Sequence, residues 1–110
     1  MAYDEELADR LRECVQGEVG VSEKRMFGGV AFLVNGIMAV SASGQGGLLV
    51  RVDPSRTSSL AGEPHAQRAV MRGREMDGWL RIGPDGVRIA RDLERWVGIG
   101  LDYARTLPPR

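Results

Sequence analysis

Three features of this sequence contain residue types that chemistry uses: one histidine, one cysteine and one glycine-rich loop. A general base needs a partner that orients it and a nucleophile within reach, and the turn-like stretch around His65 supplies neither. A reactive thiolate needs an electropositive setting, whereas Cys14 lies on the apolar stripe of an acidic helix. One histidine and one cysteine also fall short of the usual zinc ligands. We therefore predict no catalytic residues and no metal site.

The glycine-rich loop, Gly-Gln-Gly-Gly at residues 44–47, has the composition of a phosphate-binding loop. A phosphate loop opens a helix, however, and ends in Lys followed by Ser or Thr. This loop lacks that pair and joins two predicted strands, so the pattern predicts a hairpin turn. We expect no bound cofactor.

Arginines near a tryptophan are candidates for binding a partner. Alternation along two predicted strands puts Arg51 and Arg81 on the face opposite to their aliphatic neighbours. If that face is solvated, Trp79 shares it, and Arg72 and Arg74 add to a basic surface. Arginine beside an exposed tryptophan is a common interface pairing. The alternative is an ordinary solvated sheet face.

A second candidate is the segment that contains Arg25, Phe27, Gly28 and Gly29. Two glycines within a predicted strand indicate a bulge or a close approach by another backbone. Arg25 would then contact an anion or a partner beside exposed backbone N–H groups. The alternative is that the glycines solve a packing problem, while Arg25 is solvated or paired with Glu23.

The elements that must position these residues follow the order helix, three strands, short helix, strand, helix. Asp4 is a predicted N-cap because its carboxylate can accept from a free backbone N–H, and Asn35-Gly36 is a strong hairpin signal. Residues 63–74 read mostly as loop. The predicted elements are a helix from Asp4 to about Gly17, strands at 26–34, 37–42, 48–52 and 76–82 (with Met76, Gly78, Leu80 and Ile82 on one face), a short helix at 54–60 and a last helix from 87–89 to 106.

Amphipathic helices at both ends need an apolar surface to cover, and the strands offer one. The simplest architecture is an α+β two-layer sandwich, in which both terminal helices pack on an antiparallel sheet of about four strands, three of them in a meander. The 110 residues fit one domain.

Charge and composition further limit the classes of function and the cellular location expected for this chain. Fifteen basic and fifteen acidic residues cancel, and a pI near 6.6 argues against a dedicated nucleic-acid-binding domain. Charge is nevertheless uneven, with net −5 over residues 1–23 and net +5 over residues 24–74. No apolar run approaches the roughly 20 residues of a membrane span, and the acidic N-terminus lacks the pattern of a signal peptide. We expect a cytoplasmic protein.

Three segments together resemble the N-terminal domain of the TfoX/Sxy family. They are residues 24–32 (KRMFGGVAF) with the Asn35-Gly36 turn, residues 49–52 (LVRV), and residues 73–79 (GREMDGW) with a final helix that ends YARTLP at 103–108. The resemblance covers nearly the whole chain, so we expect a stand-alone domain over residues 1–110. Full-length members are similar to competence regulators that act with a cyclic-AMP-receptor transcription factor and carry a second, helical domain. The family offers no catalytic residues to transfer.

The combined expectation is a non-enzymatic interaction or regulatory module that acts through protein contacts. The contact surface would be the arginine-bearing sheet face or a strand edge. A homodimer is an open possibility, because sheet edges must be covered or paired. Two further hypotheses stay open: weak nucleic-acid binding through the basic middle segment, and a small-ligand binder or enzyme with an unrecognised pocket. We expect no membrane partner.

Overall fold

The computed structural model describes residues 3–26 and 28–110. Phe27, one of the predicted contact residues, lies outside these described residues. All strands belong to one antiparallel sheet with the order β1-β2-β3-β4-β6-β5. The strands are β1 (Val21–Met26), β2 (Gly29–Val34), β3 (Ile37–Ala42), β4 (Leu48–Arg51), β5 (Ala66–Met71) and β6 (Arg74–Ile82). The helices are α1 (Glu5–Val15), α2 (Thr57–Ala61) and α3 (Ala90–Arg105), with 3₁₀ turns at Pro54–Arg56 and Pro84–Val87.

Local sequence signals account for the ends of several elements. The backbone N–H of Leu7 donates to Asp4 Oδ1 at 3.1 Å, which confirms the predicted N-cap of α1. Asn35 and Gly36 have φ values of 52° and 85°. Positive φ at both central residues is what a type I′ hairpin turn requires, so the predicted turn between β2 and β3 is confirmed.

The helices pack on one face of the sheet, and the apolar core lies between the two layers. Apolar stripes of α1 and α3 are buried against the sheet, and Leu60 of α2 belongs to the same core cluster. Phe32 of β2 is the largest fully buried side chain. The predicted α+β sandwich with helices at both ends is therefore confirmed.

The sheet has six strands where the sequence predicts about four. The strand predicted at residues 26–34 begins at Gly29 as β2, and the additional strand β1 precedes it at Val21–Met26, with the chain turning back at Gly28, where φ is 77°. Strand β5 lies in the stretch predicted mostly as loop, and Ala69 is its one fully buried residue. Both missed strands form sheet edges and are largely exposed. Each is held by backbone hydrogen bonds to one neighbour without an apolar face of its own, so periodicity does not reveal it.

A bulge in β6 changes which side chains share a face. Leu80 pairs with Arg68, but Met76 pairs with Ala69, so β6 holds three more residues than β5 over this interval. An odd number of extra residues reverses the side-chain alternation. The prediction that Met76 shares a face with Leu80 is therefore wrong: Leu80 is fully buried, whereas Met76 is 36% exposed. Gly78 permits the bend with φ at 89°.

Candidate functional site

We call the sheet face that carries no helix the open face. Strand register fixes which side chains lie on it, because directly paired residues project to the same side. The residues paired from one edge of the sheet to the other form a single row, and none of them belongs to the core cluster. The row consists of Lys24, Ala31, Ser41, Leu49, Arg81 and Gln67. Arg51 and Trp79 form the next pair on the same face.

The Arg51 side chain is held flat against its cross-strand partner. Its guanidinium carbon lies 4.3 Å from the ring centroid of Trp79, a cation–π geometry. Nε donates to the backbone oxygen of Met38 at 2.7 Å. Burial lowers the pKa of Arg51, yet arginine titrates so far above neutrality that the group stays cationic. No carboxylate of the described residues forms an ion pair with it.

Arg81 is a second half-buried cation on the open face. Its Nη1 donates to Ser43 Oγ at 2.9 Å, and the same hydroxyl oxygen accepts from the backbone N–H of Gln45 at 3.1 Å. Within residues 3–26 and 28–110, no aspartate or glutamate forms an ion pair with Arg81. Its charge is therefore balanced by dipoles alone.

The outer part of the β5–β6 hairpin reaches over the open face. We call this part, residues 69–76, the flap. Val70, Met71 and Arg72 of the flap line the same cavity as Leu49 and Arg81 of the sheet. The flap also exposes apolar side chains, since Val70 is 55% and Met71 40% exposed. The Gly78 bulge, which reverses the alternation of β6, lies at the base of this segment.

Two cavities meet on the open face. One, of about 290 Å³, lies between the flap and the sheet. The other, of about 570 Å³, is bounded by Arg51, Trp79 and the C-terminal residues 107–110. Met26 and Met38 line both cavities. We call these two neighbouring cavities together the open-face groove.

Among the described residues, every charged side chain that lines the open-face groove is positive. Its lining includes Arg51, Arg72, Arg81 and Arg110 and no aspartate or glutamate. The whole chain has as many acidic as basic residues, so this is a local separation of charge. Methionine and leucine side chains supply the apolar surface between the cations.

Arg25 and the two glycines lie apart from this groove. Arg25 projects to the helix-bearing side, where its guanidinium carbon is 6.0 Å from the Tyr3 ring centroid. Glu23 accepts from Arg12 rather than Arg25, in two hydrogen bonds of 2.8 and 2.6 Å, which lower the pKa of Glu23. A Cβ on Gly29 would lie 2.2 Å from the backbone oxygen of Ala42, so this glycine permits close approach of two strands.

The structure brings together Arg51, Trp79, Arg81 and Arg72, whereas Arg74 lies at the exposed end of the flap outside the groove lining. Sequence reasoning missed the methionines of the groove. Met38 carries no sequence signal, since it faces the open side only because the pairing of β2 with β3 shifts register between Phe32 and Leu33. Met71 belongs to the edge strand that periodicity did not reveal.

The cysteine, the histidine and the glycine-rich loop that were considered as chemical groups lie in surroundings that suit structural roles. Cys14 is half-buried against the core, and burial raises the pKa of its thiol, which keeps it protonated. His65 is exposed with φ at 67°, and its carbonyl accepts from Gly83 N–H at 2.9 Å. Residues 44–47 form the predicted turn between β3 and β4.

The described residues hold no group of three or more His, Cys, Asp or Glu side chains suited to a metal ion. In the same residues, every helix is too short or too polar to cross a bilayer.

Comparison with known proteins gives one family. The model of the TfoX N-terminal domain matches residues 13–104, which is most of the chain and includes nearly all of the open-face groove. A search of curated proteins returns no match.

Proposed function

The chain belongs to the TfoX N-terminal domain family, and from this premise we propose that it is a non-enzymatic interaction and regulatory module of the cytoplasm that acts through protein contacts. Its contact surface is the open-face groove. The observation that carries the proposal is the Arg51–Trp79 pair, stacked at 4.3 Å inside a groove lined by arginines and no acidic side chain of the described residues.

The chemistry of the groove suits recognition. Tryptophan and arginine are the residues most enriched among those that dominate binding energy at interfaces. Methionine adapts its shape to an incoming surface at little cost. A half-buried guanidinium without a carboxylate has already lost part of its hydration, so a partner that supplies an anion gains more from it than from a fully solvated cation.

The test is affinity capture from a lysate with the wild type, a double variant and a matched control. Arg51→Gln combined with Arg81→Gln removes the two half-buried charges on the sheet side of the groove while keeping hydrogen-bond donors. Arg91→Gln removes an exposed charge from α3, on the other side of the sheet. We expect mass spectrometry to find a protein that the wild type and Arg91→Gln retain and the double variant loses, with all three chains folded by circular dichroism. Equal recovery by all three chains would refute the proposal.

A nucleic-acid partner has less support from the arrangement of the basic middle segment. Arg25 and Arg51 project to opposite faces of the sheet, and Arg68 forms an ion pair with Asp77 at 3.0 Å. The net +5 of residues 24–74 is therefore spread over several surfaces. A mobility shift with DNA or RNA that fades steeply with added salt would favour nucleic acid over a protein partner.

A further inference from the structure

We propose that the open-face groove binds an extended segment of a partner protein in which acidic and apolar side chains alternate. The two acidic side chains face Arg51 and Arg81 on the sheet, and the apolar side chain between them faces Met71 of the flap. This inference rests on the proposed function and adds the chemistry of the partner to it.

The spacing of the cations fits alternate residues of an extended chain. Arg51 pairs with Trp79, and Arg81 lies two residues further along the same strand, so the two arginines are diagonal neighbours with Cα atoms about 7–8 Å apart. In an extended chain, side chains on one side recur every second residue, at about 6.6 Å. Two carboxylates separated by one residue therefore match the spacing of the two arginine Cα atoms.

The walls of the groove fit the remaining side chains. Opposite Arg81, Met71 of the flap presents an apolar side chain to the smaller cavity. A strand enclosed between a cationic surface and an apolar surface must carry acidic groups on one side and apolar groups on the other. Ser41, Ser43 and Gln45 line the same cavity, and they offer hydrogen-bond partners to the backbone of the bound segment.

A second copy of this chain fits the groove poorly. A two-fold dimer through the open face would set each groove against itself, so the arginines of one copy would face those of the other, and like charges in contact disfavour association. The acidic helix α1 of another copy has the complementary charge, but contact between different surfaces builds a ring or a filament of copies rather than a two-fold dimer. We therefore expect the free protein not to associate through the open-face groove.

The test is a binding titration with blocked synthetic pentapeptides, followed by calorimetry and by tryptophan fluorescence, in which Trp79 of the groove should respond and buried Trp96 should not. The first peptide alternates leucine and aspartate, beginning and ending with leucine. The second has the same composition with the two aspartates adjacent, and the third replaces both aspartates with asparagine. We expect the alternating peptide to bind at least about tenfold more tightly than either of the others, because a charged hydrogen bond is worth about 1.5–3 kcal/mol.

Variants of the chain locate the binding. Arg51→Gln and Arg81→Gln should each weaken the alternating peptide about tenfold or more, and exposed Arg72→Gln on the flap should weaken it by a smaller factor without affecting the fold. Arg91→Gln serves as the control and should bind like the wild type. Equal affinity for the alternating and adjacent-aspartate peptides, or equal affinity of the wild type and the arginine variants, overturns the inference.

Failure of this inference is distinguishable from failure of the proposed function. If the alternating peptide does not bind but the double variant still loses its captured protein, the segment has another chemistry and this inference is wrong while the proposed function stands. If light scattering instead shows self-association that Arg51→Gln and Arg81→Gln abolish, the occupant is a second copy and the inference is likewise overturned.

Discussion

Two glycines of α3, only two residues apart, have contrasting surroundings. A Cβ added to Gly100 would lie 2.7 Å from the backbone oxygen of Ala39 and 2.7 Å from Cγ1 of Val40, whereas a Cβ added to Gly98 would meet no atom within 4 Å. Both positions lie inside the helix, where alanine is favoured over glycine by roughly 1 kcal/mol. Both alanine substitutions therefore gain helix propensity, but only Gly100→Ala introduces a steric clash.

The magnitude follows from these two effects. Gly98→Ala should raise the free energy of unfolding by about 1 kcal/mol, which is the propensity gain alone. At Gly100 the new methyl group meets a backbone oxygen that cannot rotate away, so α3 and β3 must separate, and overpacking of this kind costs about 1–3 kcal/mol. Gly100→Ala should therefore range from neutral to about 2 kcal/mol destabilising. The difference between the variants, about 1–3 kcal/mol, is the steric cost itself.

Urea denaturation of both variants and the wild type, followed by far-UV circular dichroism, measures this difference. The slope with denaturant should stay constant, so that midpoints report stability directly. In thermal melts the Tm values of the two variants should differ by at least about 4 °C, since a stability difference of about 1 kcal/mol shifts Tm by about that much in a domain of this size. If Gly100→Ala were as stable as Gly98→Ala, the close contact of α3 with β3 would not exist in the molecule.

Two other predictions concern polar contacts. Thr57→Val removes a buried hydroxyl that accepts from Gly78 N–H at 2.8 Å, so urea denaturation should show a loss of about 1–3 kcal/mol, which Thr57→Ser should largely avoid. Glu63 accepts two hydrogen bonds of 2.7 Å from Arg95, which lower the pKa of Glu63. Because the folded pKa is lowered, this stabilisation is present above the ordinary value of 4.5 and is lost as pH falls through the folded value. Glu63→Gln should therefore cost about 0.5 kcal/mol at neutral pH, a small effect because water screens the pair. The gap should close in acid, and a gap that persisted there would contradict the ion pair.

The fold was most predictable where one local signal fixes one local structure. Asp4 caps α1 through its own carboxylate, and Asn35-Gly36 adopts the positive φ values that its residue types favour. Such signals need no knowledge of distant residues. The edge strands β1 and β5 carry no equivalent signal, because a strand exposed on much of its surface needs no alternating apolar pattern. They exist through hydrogen bonds to neighbours that only the assembled sheet supplies.

Sequence reasoning predicted part of the lining of the open-face groove and none of its shape. The predicted alternation correctly placed Arg51 and Arg81 on the face away from the core. In the structure, the pairing of β4 with β6 places Trp79 beside Arg51. The enclosure of that face was not predictable, because it depends on the flap. The flap follows the bulge at Gly78, and a bulge is a mismatch between two strands that neither strand encodes alone.

The use of arginine differs between the groove and the rest of the molecule. In the part of the chain that the structure describes, five of the ten arginines outside the groove form ion pairs with carboxylates: Arg12, Arg68, Arg88, Arg95 and Arg105. With equal numbers of acidic and basic residues, the chain has carboxylates enough to neutralise a groove. Leaving Arg51 and Arg81 without them costs desolvation and mutual repulsion, and apolar residues of similar volume would cover a sheet face with less cost. The contacts of Arg51 with Met38 and of Arg81 with Ser43 do not neutralise these charges. We propose that an acidic group from a partner does so, because it would meet cations already positioned and partly desolvated.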